Sequence, residues 1–343
     1  MMRAMNGHSS PKITDRDPRH AAAVEWTVRT LARDDLEISV ASADASFRRY
    51  LRAEAGGASW IVMDAPPERE TCEPFIDVAR RLRTAGVNAP EILAADLAQG
   101  FLLLSDLGRE TFLDVLTDEN ADGFFPAALD ALIAMQANAN ARGLPPYDAA
   151  LLQRELDLYP DWYLARHRGV RLDAAERAIW DDACARLIES ACAQPQVFVH
   201  RDYMPRNLMV SDPLPGVIDF QDAVRGPVTY DLVSLFRDAF VSWPEERVNG
   251  WVAEYRRLAA HAGIELPVDF ERAFDWMGLQ RHLKVIGIFA RLHYRDGKEK
   301  YLAETPRFFR YVYGIGGKYA EFDNLLELIR RYEEEGRSGK EEE

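Results

Sequence analysis

Beyond about residue 110 the apolar residues of this chain recur at helical spacing, and the pattern breaks once. The break is QVFVHRDYMPRNLMVSDPLPGVIDF, residues 196–220. It reads as two or three short strands and a tight DPLPG turn set together inside a helical body. Before residue 110 the pattern is different. Residues 36–67, then PEILAAD and GFLLLSDL, read as strands with turns at ASADAS and EAGGAS. A single helix is predicted over 73–85, with Phe75, Ile76, Ala79 and Leu82 on one face and Gly86 as its stop. The chain is therefore expected to be α+β and bilobal. A small antiparallel-sheet lobe with one inserted helix (21–107) precedes a larger, mainly helical lobe (108–333). In the second lobe LDAAERAIWDDACARLIESA opens with Asp173 and Glu176 at capping-box spacing. Residues 1–20 and the acidic tail 334–343 are too polar to bury a core and are expected to be disordered.

Length agrees with two lobes: 343 residues exceed one typical core. The 42 basic and 56 acidic residues leave a net charge of −14, which argues against a nucleic-acid surface. A small anionic ligand stays possible, because local cations can reverse the field within a site. Cys72, Cys184 and Cys192 are odd in number and form no C-x-x-C, so neither a disulfide framework nor a zinc cluster is expected. Cys184 and Cys192 read as buried thiols. The N-terminal stretch has no apolar core of a secretory signal. The apolar run VIGIFARL is too short and too charged to span a bilayer. The expectation is a cytoplasmic protein, monomeric, without membrane or nucleic-acid partners.

The break carries a polar island: His200, Arg201, Asp202 and Asn207, then Asp219 after a return turn. Chemistry is often placed on loops that a rigid frame supports. Asn207 and Asp219 offer an amide and a carboxylate oxygen, which with phosphate oxygens suit Mg²⁺. Asp202 is then left to accept a proton from a substrate hydroxyl. This division of labour is that of phosphoryl transfer, where the protein mainly positions phosphate and orients the nucleophile.

HRDYMPRN followed by GVIDFQDAVRGPVTYDLVSL resembles the aminoglycoside phosphotransferase and choline kinase superfamily, a relative of the protein kinases. ADASFRRYLR, IVMDAPPE, DLYPDWYLARH and LQRHLKVIGIFARLHYRDGK extend the likeness over about residues 25–333. These segments are similar to the anomeric kinases of cell-wall recycling that act on N-acetylmuramate and N-acetylglucosamine. The resemblance implies a protein-kinase-like fold, ATP and Mg²⁺ as cofactors, and an amino sugar as the small-molecule partner. By the same likeness Asp202 is the catalytic base, Asn207 and Asp219 are the magnesium ligands, and Asp231 braces the catalytic loop. Ser46, Phe47, Arg48 and Arg49 fall in the phosphate-covering hairpin. Leu104, Ser105, Asp106 and Leu107 fall where a hinge meets adenine.

One departure stands out. The lysine that kinases carry on their third strand is replaced by Met63 or Asp64, and Arg48, Arg49 or Arg52 is expected to supply the cation. A nucleotide-binding pseudokinase is therefore a rival, as is a kinase for an aminoglycoside, choline or homoserine. Each candidate also has a plainer reading. His200 packs against the loop and bonds backbone. Arg206 either reaches the transferred phosphoryl group or faces water. Trp162 is core or stacks on sugar. Arg281, His282 and Lys284 form surface pairs or meet the carboxylate of muramate.

Overall fold

The computed structural model describes residues 17–43 and 48–338. They form two compact units. The first comprises the described residues up to Glu110 together with Met209–Gln221, and the second comprises Thr111–Leu208 and Asp222 onward.

The first unit opens with α1 (Pro18–Leu31), capped by Asp17, whose carboxylate accepts the Arg19 amide at 2.9 Å. Helix therefore begins within the stretch expected to be disordered. Proline at the first helical position and an aspartate cap favour that start. Five strands follow: β1 (Glu37–Ala43), β2 (Arg49–Ala55), β3 (Ala58–Asp64), β4 (Ile92–Asp96) and β5 (Phe101–Ser105). They make one antiparallel sheet in the order β1-β2-β3-β5-β4. The registers Leu51↔Val62, Val62↔Leu103 and Ala94↔Leu103 put apolar side chains in one row across the sheet. Ala23 and Trp26 of α1 cover that row, the Trp26 ring 5.7 Å from Phe101. The inserted helix is α2 (Glu73–Thr84), burying Phe75, Val78, Ala79 and Leu82. Between β4 and β5 the chain turns at Gly100, with φ 73°, and a Cβ there would lie 1.9 Å from the Ala65 carbonyl oxygen. Only glycine fits.

The second unit is helical. It contains α3 (Phe112–Val115), α4 (Ala121–Asn138), α5 (Ala149–Leu156), a π-helix (Tyr159–Arg168) and α6 (Ala174–Ala193). The Asp173–Glu176 capping box of α6 is formed. Strand β6 (Gln196–Val199) leads into the polar island. The chain next forms β7 (Leu208–Met209) and β8 (Gly216–Val217), a paired hairpin. Strand β9 (Val224–Pro227) returns antiparallel to β6, and α7 (Tyr230–Phe236) follows with every residue buried. The remainder is α8 (Glu245–His261), α9 (Phe270–Asp296), α10 (Thr305–Gly316) and α11 (Asp323–Ser338). The backbone of α11 runs helical into the tail expected to be disordered.

Helix α9 is buried on all sides over most of its length, as expected for an element at the centre of a core. It approaches the start of the π-helix so closely that a Cβ on Gly287 would lie 2.5 Å from the Leu158 carbonyl oxygen. Leu156, Tyr159, Trp180, Leu279, Leu283 and Phe308 pack in the surrounding core. Cys184 is buried there, whereas Cys192 is exposed, contrary to its expected burial. Among the described residues no helix is long and apolar enough to cross a membrane.

Residues 209–221 join the first unit for a local reason. The Val217 amide donates to the Asn88 carbonyl at 2.7 Å, and the Val210 amide donates to Glu110 at 2.8 Å. Asn88 Nδ2 donates to Ser211 Oγ at 3.0 Å and to the Pro213 carbonyl at 2.6 Å. Phe220 packs its ring 4.8 Å from Phe75.

Candidate functional site

Strand β6 buries Phe198 and Val199 and pairs Val199 with Val224, where its ladder ends. The next two amides need acceptors, and Asp231 supplies both. One carboxylate oxygen accepts His200 N at 2.7 Å and the other accepts Arg201 N at 3.0 Å. Asp231 is fully buried at the start of α7. Burial pushes its pKa up to about 7, against the pull of the two amides. His200 is also fully buried; its Nδ1 accepts Asp202 N at 3.3 Å and its ring packs on Tyr203. Tyr203 donates its hydroxyl to the Ala128 carbonyl at 2.7 Å. A 3₁₀ turn, Pro205–Asn207, closes the loop, with Asn207 N donating to Met204 O at 2.8 Å. Asn207 Nδ2 donates to the Asp202 carbonyl at 2.9 Å. The loop is thus tied at both ends, and Arg201 is held at φ 76°. That left-handed conformation costs a non-glycine residue about 1–2 kcal/mol, which the surrounding bonds must offset.

Behind the loop lies a second polar group. Glu155 of α5 is buried, and its Oε1 accepts Arg201 Nη2 at 2.6 Å and pairs with Lys284 Nζ at 2.8 Å. Its Oε2 accepts the Tyr147 hydroxyl. Lys284 also donates to the Tyr230 hydroxyl at 2.9 Å. Burial alone would raise the Glu155 pKa; Lys284 and Arg201 more than reverse this and hold it below the usual range. Burial would lower Lys284, and Glu155 more than reverses that. Lys284 is thus a buried cation that closes a network. Arg206 places its guanidinium over the Phe240 ring, 5.3 Å from the centroid.

Arg281 and His282 are buried as well. The His282 ring stacks on Tyr311 at 4.7 Å, and burial followed by the charges of Arg281 and Arg237 pulls its pKa well below the ordinary value. It is a neutral side chain at pH 7, so of the three basic candidates on α9 it supplies no cation. Trp162 is half-buried in the π-helix and packs on the core.

In the first unit, Asp219 stands at φ 63° just after β8, and its Oδ1 accepts Gln221 Nε2 at 2.9 Å. Aspartate tolerates this region better than most residues. Asp64, at the end of β3, is one of the two residues, with Met63, that stand where a lysine is expected. It is buried and paired with Arg19 at 2.7 Å and with Arg49, which also pairs with Asp17. Arg48 pairs with Glu70. Arg52 makes a two-pronged bond to Asp106, at 2.6 and 3.0 Å, and Asp106 also accepts from Ser59 and from Gly108 N. Asp106 is therefore engaged in an ion pair. Leu104 is buried in β5, the Ser105 hydroxyl accepts Glu91 N at 2.8 Å, and Leu107 packs against Gly216. Ser46 and Phe47 lie outside the described residues.

The structure brings His200, Asp202, Asn207 and Asp231 together in one loop and its brace, and it places Asp219 in the other unit. Among the described residues no group of three or more His, Cys, Asp or Glu side chains is spaced to cage a metal ion. The donors at hand are oxygens. Asn207 directs its amide nitrogen to the Asp202 carbonyl, which turns the amide oxygen the other way. Such donors fit a magnesium ion that keeps water and phosphate oxygens in its shell. Glu155, Tyr147 and Tyr230 were not anticipated. A signal existed for Glu155, since it falls on the apolar face of α5 between Leu152 and Leu156.

A five-stranded sheet unit joined to a helical unit, with a braced HRD loop, defines a kinase-type phosphotransferase. Residues 37–271 match the model of the phosphotransferase enzyme family, and the chain belongs to that family. It is 59% identical over 296 residues to the N-acetylmuramate/N-acetylglucosamine kinase of Pseudomonas aeruginosa, covering 85% of this chain and 88% of that one. It is 43% identical over 312 residues to the kinase of the same name from Neisseria meningitidis, covering 89% and 93%. Among solved structures it is similar to choline kinase LicA from Streptococcus pneumoniae (TM-score 0.59, 13% identity, 88% of this chain and 99% of that one). It is also similar to aminoglycoside phosphotransferase APH(2'')-Ib (TM-score 0.58, 13% identity, 86% and 98%). The fold is protein-kinase-like.

Proposed function

We propose that this chain is an ATP-dependent kinase that phosphorylates the anomeric hydroxyl of N-acetylmuramate and N-acetylglucosamine. The observation that carries the reading is the 59% identity, over 85% of this chain, to a kinase named for those two sugars. The loop geometry supports it. Asp202 follows two residues whose amides are gripped by one buried carboxylate, so its backbone is set before substrate arrives. A carboxylate so placed can orient the attacking hydroxyl and take up its proton as the bond to phosphorus forms. Asn207 and Asp219 would hold magnesium, which when bound neutralises charge on the phosphate oxygens. Arg206 is the loop cation proposed to reach the phosphoryl group.

The test is incubation with Mg·ATP and each sugar, with phosphorus NMR of the product. The expected product is an acid-labile sugar 1-phosphate. An acid-stable ester would move the reading to another hydroxyl, and ATP binding without turnover of any sugar or alcohol would replace it with a nucleotide-binding role.

A further inference from the structure

The kinase reading assigns work to Asp202 and its brace but none to the buried group behind Arg201. Three features make that group more than packing. First, Glu155 Oε1 takes two cations, Arg201 at 2.6 Å and Lys284 at 2.8 Å, while Oε2 takes the Tyr147 hydroxyl. One anion thus faces two cations in a buried place, where charges are expensive unless fully paired. Second, Lys284 reaches both supports of the loop. It touches Glu155, which holds the Arg201 side chain, and at 2.9 Å it touches Tyr230, the residue before the Asp231 that holds the Arg201 backbone. Third, Arg201 needs holding, because its φ of 76° is one an arginine adopts only under constraint.

We propose that Lys284, acting through Glu155 and Tyr230, is a positioning residue that locks Arg201 and thereby aims the adjacent Asp202. The lysine touches no substrate. It closes a ring in which α5, α7 and α9 fix the residue beside the base. The inference rests on Asp202 being the residue that orients the nucleophile. Lys284 is the pin and Glu155 the joint: without Glu155, the buried lysine and the half-buried Arg201 are left without their shared anion and the guanidinium loses its anchor.

The experiment compares full-length wild type with Lys284→Met, Glu155→Gln and the double variant. It measures kcat and KM for ATP and sugar, melting temperature, and ADP release without sugar. Lys284→Met is expected to lower kcat about 10- to 100-fold, the scale of a misplaced catalytic group, with both KM values within about threefold. Glu155→Gln should lose more. The double variant, which removes the lone lysine charge, should recover kcat relative to Glu155→Gln alone. Purely structural roles would lower the melting temperature of each variant and leave kcat per folded molecule unchanged, which overturns the proposal. A raised sugar KM with kcat intact overturns it too, by making Lys284 a binding residue. If Lys284→Met does not fold, Tyr230→Phe deletes one hydroxyl and is expected to lower kcat about 3- to 10-fold, the size of one hydrogen bond. Unchanged kcat in that variant overturns the proposal equally. A wild type that turns over neither sugar fails the proposed function alone, since ADP release still reads the network.

Discussion

Both units pair buried arginines with carboxylates, and the helical unit adds two carboxylates engaged otherwise. In the sheet unit, arginines and carboxylates match: Arg19 and Arg49 with Asp17 and Asp64, Arg48 with Glu70, Arg52 with Asp106. In the helical unit Arg237 pairs with Asp275 in the same way. Two further carboxylates differ: Asp231 accepts two backbone amides, and Glu155 carries two cations. Matched pairs cross-link strands and turns. Asp231 and Glu155 keep polarity directed at the loop between His200 and Asn207. The contrast suggests that the sheet arginines are first of all structural. A phosphate drawing on any of them would compete with a carboxylate already in place.

The largest expected effect tests the loop itself. Asp202→Asn should lower kcat by about 10²- to 10⁴-fold, the range for loss of a general base, with nucleotide affinity by calorimetry little changed. Equal turnover would remove the distinction between the units at its functional end. Next comes a matched pair. Arg52→Met leaves the buried Asp106 carboxylate without its partner and should cost about 3 kcal/mol of stability, read by denaturant unfolding.

A smaller effect separates the units by the sign of their pH response. Burial raises the Asp106 pKa, but bonds from Arg52, Ser59 and Gly108 N more than reverse this, leaving it lowered. The unfolded chain then binds the extra proton, so this stabilisation is present above about pH 4 and fades as the pH falls. Asp231 is pushed up to about 7, so the folded chain binds the extra proton. Its favourable contribution is lost as the pH rises from about 4 to 7. The melting temperature of wild type minus that of Asp231→Asn should therefore fall between pH 5 and 7.5, a range chosen about the shifted value. The same difference for Asp106→Asn should fall only in acid. Slopes of one sign would erase the comparison. The smallest effect is a control: the exposed Arg109–Glu54 pair is matched but solvated, and Arg109→Ala should leave the melting temperature unchanged.

Local features of the molecule were legible in its residues. The helix over 73–84, the strands flanking it, the α6 capping box and the HRD-to-IDF spacing are each set by neighbours in sequence. What was hidden depends on distant partners. Lys284 reads as a helix cation, and only Glu155 and Tyr230, 129 and 54 residues away, make it internal. Asp64 reads as a missing lysine, and its pairs with Arg49 and with Arg19, from a stretch expected to be disordered, show that a carboxylate is wanted there. His282 reads as a basic residue, and complete burial removes its charge.

The hairpin of residues 209–221 has a consequence for how the protein is made. Phe75 and Asn88 are synthesised early, yet Phe220, Ser211 and Pro213, which cover them, emerge more than a hundred residues later. A nascent chain ending near residue 110 is an unfinished body with an uncovered apolar side, and a fragment expressed to that point should aggregate.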